Sequence, residues 1–227
     1  MILKPWHELP QHMQNEAVRP YYDRLRKKRI NLIMKLCFDK IMSVFLLVIL
    51  SPVFLLLAIM IKLDSPGEIM FRQERVTQYG RKFRIHKFRT MFVGADKQGT
   101  LVTIHGDTRV TRVGKLLRGS RMDELPQLID IFNGDMSFVG TRPEVVKYVE
   151  QYTPEMLATL LLPAGVTSEA SIEYKDEDKL MSQANNVDEV YVKIILPQKM
   201  QWNYFGLKNI SLLYDIKVLL KTVGAVS

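Results

Sequence analysis

Cysteine is nearly absent from this chain of 227 residues, which holds only Cys37. A single cysteine excludes an internal disulfide and fits a protein that works in a reducing compartment. No internal repeat is visible, and no zinc-finger, homeodomain or RNP-type pattern accompanies the basic side chains. We therefore expect no nucleic acid partner. The net charge of +8 instead points to anionic membrane lipids or a phosphorylated substrate.

One apolar run has the length of a membrane segment. Residues 41–61 are apolar except for Ser43, Ser51 and Pro52. A straight helix of this length would reach roughly 30 Å, about one hydrocarbon thickness. Pro52 removes a helical hydrogen bond near its middle and should kink or break the helix. An ordinary transmembrane anchor therefore competes with a helix that bends and returns to the side it entered.

The charges on both flanks of this run favour the bent helix. Cytoplasmic flanks of membrane segments are enriched in Lys and Arg, and here both flanks are strongly basic. The Ser51 hydroxyl can also bond a carbonyl that Pro52 leaves free. We predict a re-entrant membrane helix over residues 31–64, with a break at Ser51 and Pro52. The basic flanks are Arg24, Arg26, Lys27, Lys28, Arg29, Lys35 and Lys40 before the run, and Lys62, Arg72, Arg75, Arg81, Lys82, Arg84, Lys87 and Arg89 after it.

The whole chain predicts an α+β fold with three parts. Residues 1–30 form a polar and basic extension, residues 31–64 the broken membrane helix, and residues 65–227 a small, mostly helical cytosolic catalytic domain. This domain should carry short strands and amphipathic interfacial helices. The expected elements are an amphipathic surface helix from Tyr21 with Ile30, Ile33, Cys37 and Ile41 on one face, strands at 71–75 and 82–89, a loop at 94–112, helices near 121–132 and 141–152, and an amphipathic helix at 211–223.

The last of these helices allows two interpretations. Leu212, Ile216, Leu219 and Val223 share one face, while the lysines lie elsewhere. Such a helix either faces the core or lies on the membrane. It could also serve a homodimer.

Two adjacent carboxylates, Asp123 and Glu124, give the strongest chemical signal. Ser120 followed three residues later by Asp123 matches a capping box, in which Asp123 would only cap a helix. With Glu124 beside it, however, two carboxylates crowd one predicted helix N-terminus, which keeps a carboxylate ionised. An ionised carboxylate can attack phosphorus. Asp123 and Glu124 together could also bind Mg²⁺ along with substrate phosphates.

Basic residues accompany this pair of carboxylates in the sequence. Lys87, Arg89 and Arg118 precede it, and Arg142 follows just before Pro143. Thr141 and Glu144 have the spacing of a second capping box, which would place Arg142 in the first turn of a helix. Carboxylates, a metal and several cations suit diphosphate chemistry. For any one base, surface charge near anionic lipid explains the residue equally well.

A series of ordered motifs runs from about Lys35 to Glu144, and no single one would be specific. They are Phe38-Asp39, Leu50-Ser51-Pro52, Ile61-Lys62-Leu63-Asp64-Ser65-Pro66-Gly67, Phe71-Arg72-Gln73-Glu74-Arg75, Lys87-Phe88-Arg89-Thr90-Met91, Thr111-Arg112-Val113-Gly114-Lys115-Leu116-Leu117-Arg118, Asp123-Glu124-Leu125-Pro126-Gln127-Leu128 and Gly134-Asp135-Met136-Ser137-Phe138-Val139-Gly140. Through these motifs together the chain resembles the bacterial sugar transferases, the monotopic phosphoglycosyl transferases.

This resemblance implies an enzyme on the cytosolic face of the bacterial inner membrane. It would move a sugar 1-phosphate from a UDP-sugar to a polyprenyl phosphate by a ping-pong mechanism with a covalent intermediate, releasing UMP. Asp123 would be the nucleophile and Glu124 a ligand of Mg²⁺. Lys87, Arg118 and Arg142 would hold phosphates, and Ser51-Pro52 would be the re-entrant break.

The chain departs from the family pattern in its second half. Thr141 stands where the family usually has proline, and an arginine expected later has no clear counterpart, although Lys175 lies nearby. Two other functions compete with the transferase. A Mg²⁺-dependent nucleotide-sugar pyrophosphatase would use water in place of the lipid, and a non-enzymatic peripheral scaffold would only bind the membrane.

Overall fold

The computed structural model describes residues 3–95, 107–175 and 186–226 and has an α+β fold. Short 3₁₀ turns (Trp6–Glu8, Gln11–Met13, Gln78–Gly80, Met122–Glu124 and Met156–Leu161) and a π segment (Tyr191–Ile195) complete the regular structure. The helices are α1 Arg19–Lys27, α2 Arg29–Ile49, α3 Ser51–Asp64, α4 Arg112–Gly119, α5 Gln127–Asn133, α6 Val146–Val149, α7 Glu169–Glu173, α8 Val187–Val190, α9 Leu196–Asn209 and α10 Leu212–Val226; the strands are β1 Met70–Val76, β2 Lys82–Phe88, β3 Met136–Val139 and β4 Ala164–Thr167.

Two small sheets support the domain. Strands β1 and β2 form an antiparallel hairpin that pairs Gln73 with Ile85, which confirms both predicted strands. Strands β3 and β4 pair in parallel, with Met136 opposite Ala164, and the sequence did not predict them. Every residue of β3 is buried, so the strand lacks the alternation that marks a half-exposed strand.

The apolar run contains the predicted break. Helices α2 and α3 meet at an angle of 61° between Ile49 and Ser51. The Ser51 hydroxyl donates a hydrogen bond of 2.8 Å to the Val48 carbonyl, the carbonyl that Pro52 leaves free. Among the described helices none alone is long and apolar enough to cross a membrane, whereas the bent pair meets that test together. Whether the pair re-enters one leaflet stays a prediction.

The side chains of helix α2 are distributed in the opposite way to those of a helix in a soluble protein, with polar residues buried and apolar residues exposed. Its buried side carries Lys35, Asp39 and Ser43. Its outer side is apolar, with Ile30 75% exposed and Ile41 71% exposed. Burial of polar groups beneath an uncovered apolar face is the arrangement of a helix whose outer side meets lipid. Further exposed apolar residues on the pair are Ile33, Met34, Val44, Phe45, Val48, Ile49, Leu55, Leu56, Ile59 and Leu63.

Two predicted helices are shorter than expected because both predicted caps are wrong. Ser120 ends α4, and its hydroxyl donates to the Leu116 carbonyl at 2.9 Å. Arg121 then takes a left-handed conformation (φ 57°) that reverses the chain, so α5 begins only at Gln127. Its predicted end is confirmed, because Gly134 has a φ of 87°.

The second predicted helix, 141–152, is helical only over Val146–Val149. Arg142 precedes a proline and is therefore biased away from helical dihedrals. Residues 141–145 run extended instead, and the Glu144 carbonyl accepts a hydrogen bond from Val76 of β1 at 2.9 Å. The segment around Arg142 is thus tied to the hairpin rather than to a helix N-terminus.

The remaining predictions have mixed outcomes. The basic amphipathic helix expected from Tyr21 is two helices, α1 and α2, separated at Lys28. The loop predicted at 94–112 lies largely outside the described residues, and its last residue already begins α4. The helix at 211–223 is confirmed as α10, but Val218 and Asp215 form its buried side, while Val223 is 70% exposed.

The N-terminal residues are part of the main core. Leu9, Met13 and Val18 are buried beneath α1, and Met13 is fully enclosed. They pack with Tyr148, Tyr204 and other core residues. The N-terminal segment and α9 therefore share one hydrophobic core, which fixes α9 against the N-terminal segment.

Candidate active site

Asp123 and Glu124 lie in a tight turn between α4 and α5. The turn Met122–Glu124 follows the reversal at Arg121, and each carboxylate is only 9% exposed. Asp123 does not cap a helix, so the capping interpretation is wrong. The charge of each carboxylate is therefore set by its burial and by the side chains around it.

Two cations hold Glu124. The Nζ of Lys87, on β2, lies 2.9 Å from Oε1. Arg142 bonds both oxygens, at 2.5 Å to Oε1 and 3.0 Å to Oε2, and donates a further bond of 2.8 Å to the Val166 carbonyl of β4. Burial alone would raise the pKa of Glu124, but Arg142 and Lys87 hold it well below its usual range. Glu124 is therefore ionised near neutral pH.

Asp123 has a different environment from its neighbour. No residue that the structure describes forms a hydrogen bond with its carboxylate. Burial raises the pKa of Asp123, an effect opposed by Lys87 and reinforced by Glu124. Asp123 is thus a buried carboxylate that feels the nearby cations Lys87, Arg118 and Arg121 but accepts no hydrogen bond from the described residues, as suits a group that must react.

Arg118 lies in the same cleft as the carboxylates. It stands near the end of α4, and its Nε donates to Thr90 Oγ1 at 2.8 Å. Helix α4 can approach Thr90 this closely because residue 114 is glycine, and a Cβ there would collide with the Thr90 carbonyl. The motif around Gly114 therefore positions Arg118.

Arg89 and Pro143 play structural parts in the described residues. The Arg89 guanidinium donates to the carbonyls of Pro66 at 2.7 Å and Ser65 at 2.6 Å, so it holds the turn that follows α3. The carbonyl of Pro143 accepts a bond of 3.2 Å from Arg75. Arg89 also lines the cleft, and phosphate binding by Arg89 and Pro143 stays a prediction.

A cleft of about 1270 Å³ opens over these residues. Basic side chains outnumber acidic ones on its walls, and its apolar lining includes Leu46 of α2 and Leu50 at the break between α2 and α3. Cations in a partly desolvated cleft attract and hold phosphorylated ligands. The basic residues are Arg72, Arg75, Arg84, Lys87, Arg89, Arg109, Arg118, Arg121, Arg142, Lys175 and Lys199, and the acidic ones are Glu68, Asp123 and Glu124.

Several of these cleft residues were not predicted as site residues. Arg75 belongs to the motif Phe71–Arg75 and Arg121 to the carboxylate turn, so their sequence neighbours gave a signal. Lys175 was noted only as a neighbour of a missing arginine. Lys199 gave none, because a lysine in a helix is normally a surface residue and only the packing of α9 brings it to the cleft.

The oxygen atoms present fit a magnesium ion. Mg²⁺ is typically held by one or two carboxylates together with substrate phosphates. Asp123 offers both oxygens, and Glu124 keeps acceptor capacity on Oε2, which takes one bond from Arg142. Within the described ranges no group of three or more His, Cys, Asp or Glu side chains could form a site made of protein ligands alone.

The chain belongs to the bacterial sugar transferase family. The model of that family, described as "Bacterial sugar transferase", matches residues 30–227. The match includes the broken helix pair, the carboxylate turn and Arg142, and it leaves out the N-terminal segment.

Named relatives share much of the chain. It is 35% identical over 191 residues (83% of the chain, 42% of the relative) to the UDP-N-acetylgalactosamine-undecaprenyl-phosphate N-acetylgalactosaminephosphotransferase of Aeromonas hydrophila. Similarity to UDP-glucose:undecaprenyl-phosphate glucose-1-phosphate transferases reaches 30% over 221 residues (96% and 45%) in Escherichia coli K12 and 35% over 188 residues (82% and 66%) in Caulobacter vibrioides. The chain thus spans between two fifths and two thirds of the length of these three curated relatives.

Proposed function

We propose that this protein transfers a sugar 1-phosphate from a UDP-sugar to undecaprenyl phosphate or a similar polyprenyl phosphate. The observation that carries the proposal is the buried Asp123 carboxylate, which accepts no hydrogen bond from any described residue and lies near Lys87 and Arg118. The names of the relatives supply the substrate classes. The sugar itself is left open, because the named relatives differ in theirs.

The first step is an attack by Asp123. One carboxylate oxygen attacks the sugar-linked phosphorus of the donor, the bond from that phosphorus to the bridging oxygen breaks, and UMP leaves with the bridging oxygen and its electron pair. The product on the protein is an aspartyl phosphosugar. Burial of Asp123 limits competing attack by water.

The second step regenerates the carboxylate. A phosphate oxygen of the polyprenyl phosphate attacks the same phosphorus, and the bond from phosphorus to the Asp123 oxygen breaks with its electrons returning to the carboxylate. The lipid product is a polyprenyl-diphosphate-sugar. Asp123 ends as it began, so the protein needs no other co-reactant.

The cations around Asp123 would stabilise the charge of the transferring group. Arg118 lines the same cleft, and Glu124 fixes Lys87 and Arg142 there. Such prearranged charges lower the barrier to phosphoryl transfer. A Mg²⁺ ion held by Asp123 and Glu124 would neutralise phosphate charge when bound.

The broken helix pair supports a monotopic membrane position. The apolar outer faces of α2 and α3 need a nonpolar environment, and both ends of the pair are basic. Because Leu46 of α2 and Leu50 at the break also line the cleft, a lipid chain next to α2 could present its phosphate to Asp123. We infer a re-entrant helix pair on the cytosolic face of the bacterial inner membrane.

Anionic lipids are proposed partners of helix α1. Arg24, Arg26, Lys27 and the following Arg29 are exposed beside the apolar face of α2. Basic residues at the membrane surface each contribute about 1 kcal/mol of attraction to anionic lipid. A homodimer, which α10 could support, stays a prediction.

The test is UMP release by the purified full chain over a panel of UDP-sugars, with undecaprenyl phosphate and Mg²⁺. We expect release with at least one sugar and formation of the lipid-linked product. Equal consumption of UDP-sugar without the lipid would favour the pyrophosphatase. No release with any sugar, together with salt-sensitive membrane binding, would favour the scaffold.

A further inference from the structure

A buried polar cluster made of Glu144, Tyr191 and Lys199 lies behind Arg142. The Tyr191 hydroxyl donates to Glu144 Oε1 at 2.5 Å. Lys199 Nζ lies 3.4 Å from the Tyr191 hydroxyl and 4.0 Å from Glu144 Oε1. The three residues are 8%, 4% and 7% exposed. Buried charges paired in this way fix the backbone that carries them, because breaking the pair leaves a charge without solvation.

The π segment places two of these residues on one side. Tyr191 and Lys199 are eight residues apart, which in a regular α-helix would turn their side chains about 80° away from each other. The π segment Tyr191–Ile195 takes up one extra residue. The effective spacing is then close to two helical turns, and both side chains reach Glu144.

The cluster connects directly to the carboxylate turn. Glu144 is two residues from Arg142, and the peptide between them is held by Arg75, which donates to the Pro143 carbonyl at 3.2 Å. Arg142 in turn bonds both oxygens of Glu124. Lys199 thus lies at the end of a chain of contacts that leads through Glu144 and Arg142 to the carboxylates.

We propose that Lys199 is a positioning residue for the transfer: through Tyr191 and Glu144 it fixes the segment that places Arg142 on Glu124. This inference rests on the proposed function. A change of about 1 Å in a positioned group can reduce a rate by about 100-fold, so the effect should appear in kcat rather than in donor binding.

The experiment compares UMP release by the full chain and its variants with a UDP-sugar, undecaprenyl phosphate and Mg²⁺. Lys199→Met should lower kcat about 10- to 100-fold while the donor KM changes less than about threefold. Lys199→Arg should restore most of the loss. The matched control is Lys193→Met on the π segment just before α9, where the lysine is exposed and pairs only with Glu189 among described residues; it should match the wild type. Tyr191→Phe removes only one hydroxyl and should also lower kcat. It replaces Lys199→Met as the test if that variant folds poorly.

A double variant separates positioning from independent action. In an Arg142→Met background, Lys199→Met should cause no further loss, because the residue it positions is gone. A loss of kcat in the double variant equal to the product of the losses in the two single variants would overturn the proposal. So would a wild-type kcat in Lys199→Met, or a loss confined to the donor KM, which would make Lys199 a donor ligand.

A second measurement does not depend on turnover. Phenylglyoxal modifies accessible arginines, and Arg142 should react faster in Lys199→Met than in the wild type or in Lys193→Met, as read by peptide mass spectrometry. If the wild type releases no UMP, the proposed function fails while this measurement still decides the positioning role. Equal reactivity of Arg142 in all three proteins would overturn it.

Discussion

Two buried ionic clusters in this protein have similar members and different surroundings. In the cleft, Glu124 is held by Lys87 and Arg142. Between α2 and α10, Lys35 pairs with Asp215 at 2.5 Å, with side chains only 3% and 4% exposed. The second cluster is almost fully buried, so its charges join two helices and are not accessible to a ligand. The first lies beside a carboxylate that accepts no hydrogen bond from any described residue, and its charged side chains line the cleft.

Within the cleft the same contrast separates two neighbouring carboxylates. The pKa of Asp123 is raised by burial, whereas Arg142 and Lys87 hold that of Glu124 low although burial would raise it. The cleft therefore keeps one carboxylate as a fixed counter-charge and leaves the other to react.

Replacing Asp123 should have the largest effect on activity and none of the usual cost in stability. Asp123→Asn should reduce UMP release at least about 10³-fold, because the nucleophile is lost. The raised pKa means that folding favours the protonated carboxyl, so the ionised form lowers stability at neutral pH. The variant should unfold at the same temperature as the wild type or higher. Thermal unfolding and UMP release measured on one preparation check both outcomes, and retained activity would remove the nucleophile assignment.

Breaking the Lys35–Asp215 pair should lower stability and leave activity nearly unchanged. Lys35→Met leaves Asp215 buried without its cation and should destabilise the protein by about 3–5 kcal/mol. Activity per folded molecule should change little, since the pair lies outside the cleft. Denaturation of the variant in detergent measures the loss. The double variant Lys35→Met with Asp215→Leu is the control and should recover part of the stability, because the buried Asp39 also loses the charge of Lys35. If it recovers none, the pair does more than join α2 to α10.

Glu124→Gln should lower both the activity and the stability of the protein, each to an intermediate degree. It leaves Lys87 and Arg142 without a counter-charge, at a cost of about 1–3 kcal/mol, and it disturbs the cations that hold phosphate. Because the pKa of Glu124 is depressed, its contribution to stability is full above the ordinary value of 4.5 and is lost as pH falls below that value. Unfolding temperatures of wild type and variant, measured from pH 7 downward, should converge at low pH. A constant difference across that range would contradict the ion-pair explanation.

Pro52→Leu should have the smallest effect on stability and a clear effect on topology. Leucine restores the hydrogen bond to the Val48 carbonyl and favours a straight helix, while the Lys35–Asp215 pair keeps α2 on the domain. In a Cys37→Ser background, labels at Arg26→Cys and Glu68→Cys should react from one side of the membrane without the Pro52 change. Adding Pro52→Leu should make the label at Glu68→Cys react from the opposite side of the membrane and should lower activity. Opposite-side labelling before that change would exclude the re-entrant helix.

Local signals predicted the parts of the fold that local interactions decide. The bend at Pro52, the strands of the hairpin and the end of α5 at Gly134 follow from proline chemistry, alternating side chains and a left-handed glycine. The sequence also pointed to the carboxylate pair and to Lys87, Arg118 and Arg142, and the fold brings them into one cleft although Lys87 and Glu124 are 37 residues apart.

Long-range packing determines the features that local sequence patterns did not predict. The Ser120 and Thr141 caps failed because the chain reverses at Arg121 and pairs with β1 after Arg142. The parallel strands, the buried N-terminal residues and Lys199 depend on contacts between segments that lie far apart in the chain. No local pattern distinguishes a lysine at a cleft from one at the surface.

The most direct test of the central claim uses the donor without the acceptor. On mixing the full chain with its UDP-sugar and Mg²⁺ but no polyprenyl phosphate, UMP should appear in a burst close to one equivalent of enzyme. Intact mass spectrometry should show the added phosphosugar, and peptide mapping should place it on Asp123. The Asp123→Asn variant should give neither the burst nor the adduct. UMP release that begins only when the lipid is added, with no adduct on the wild type, would contradict the covalent mechanism.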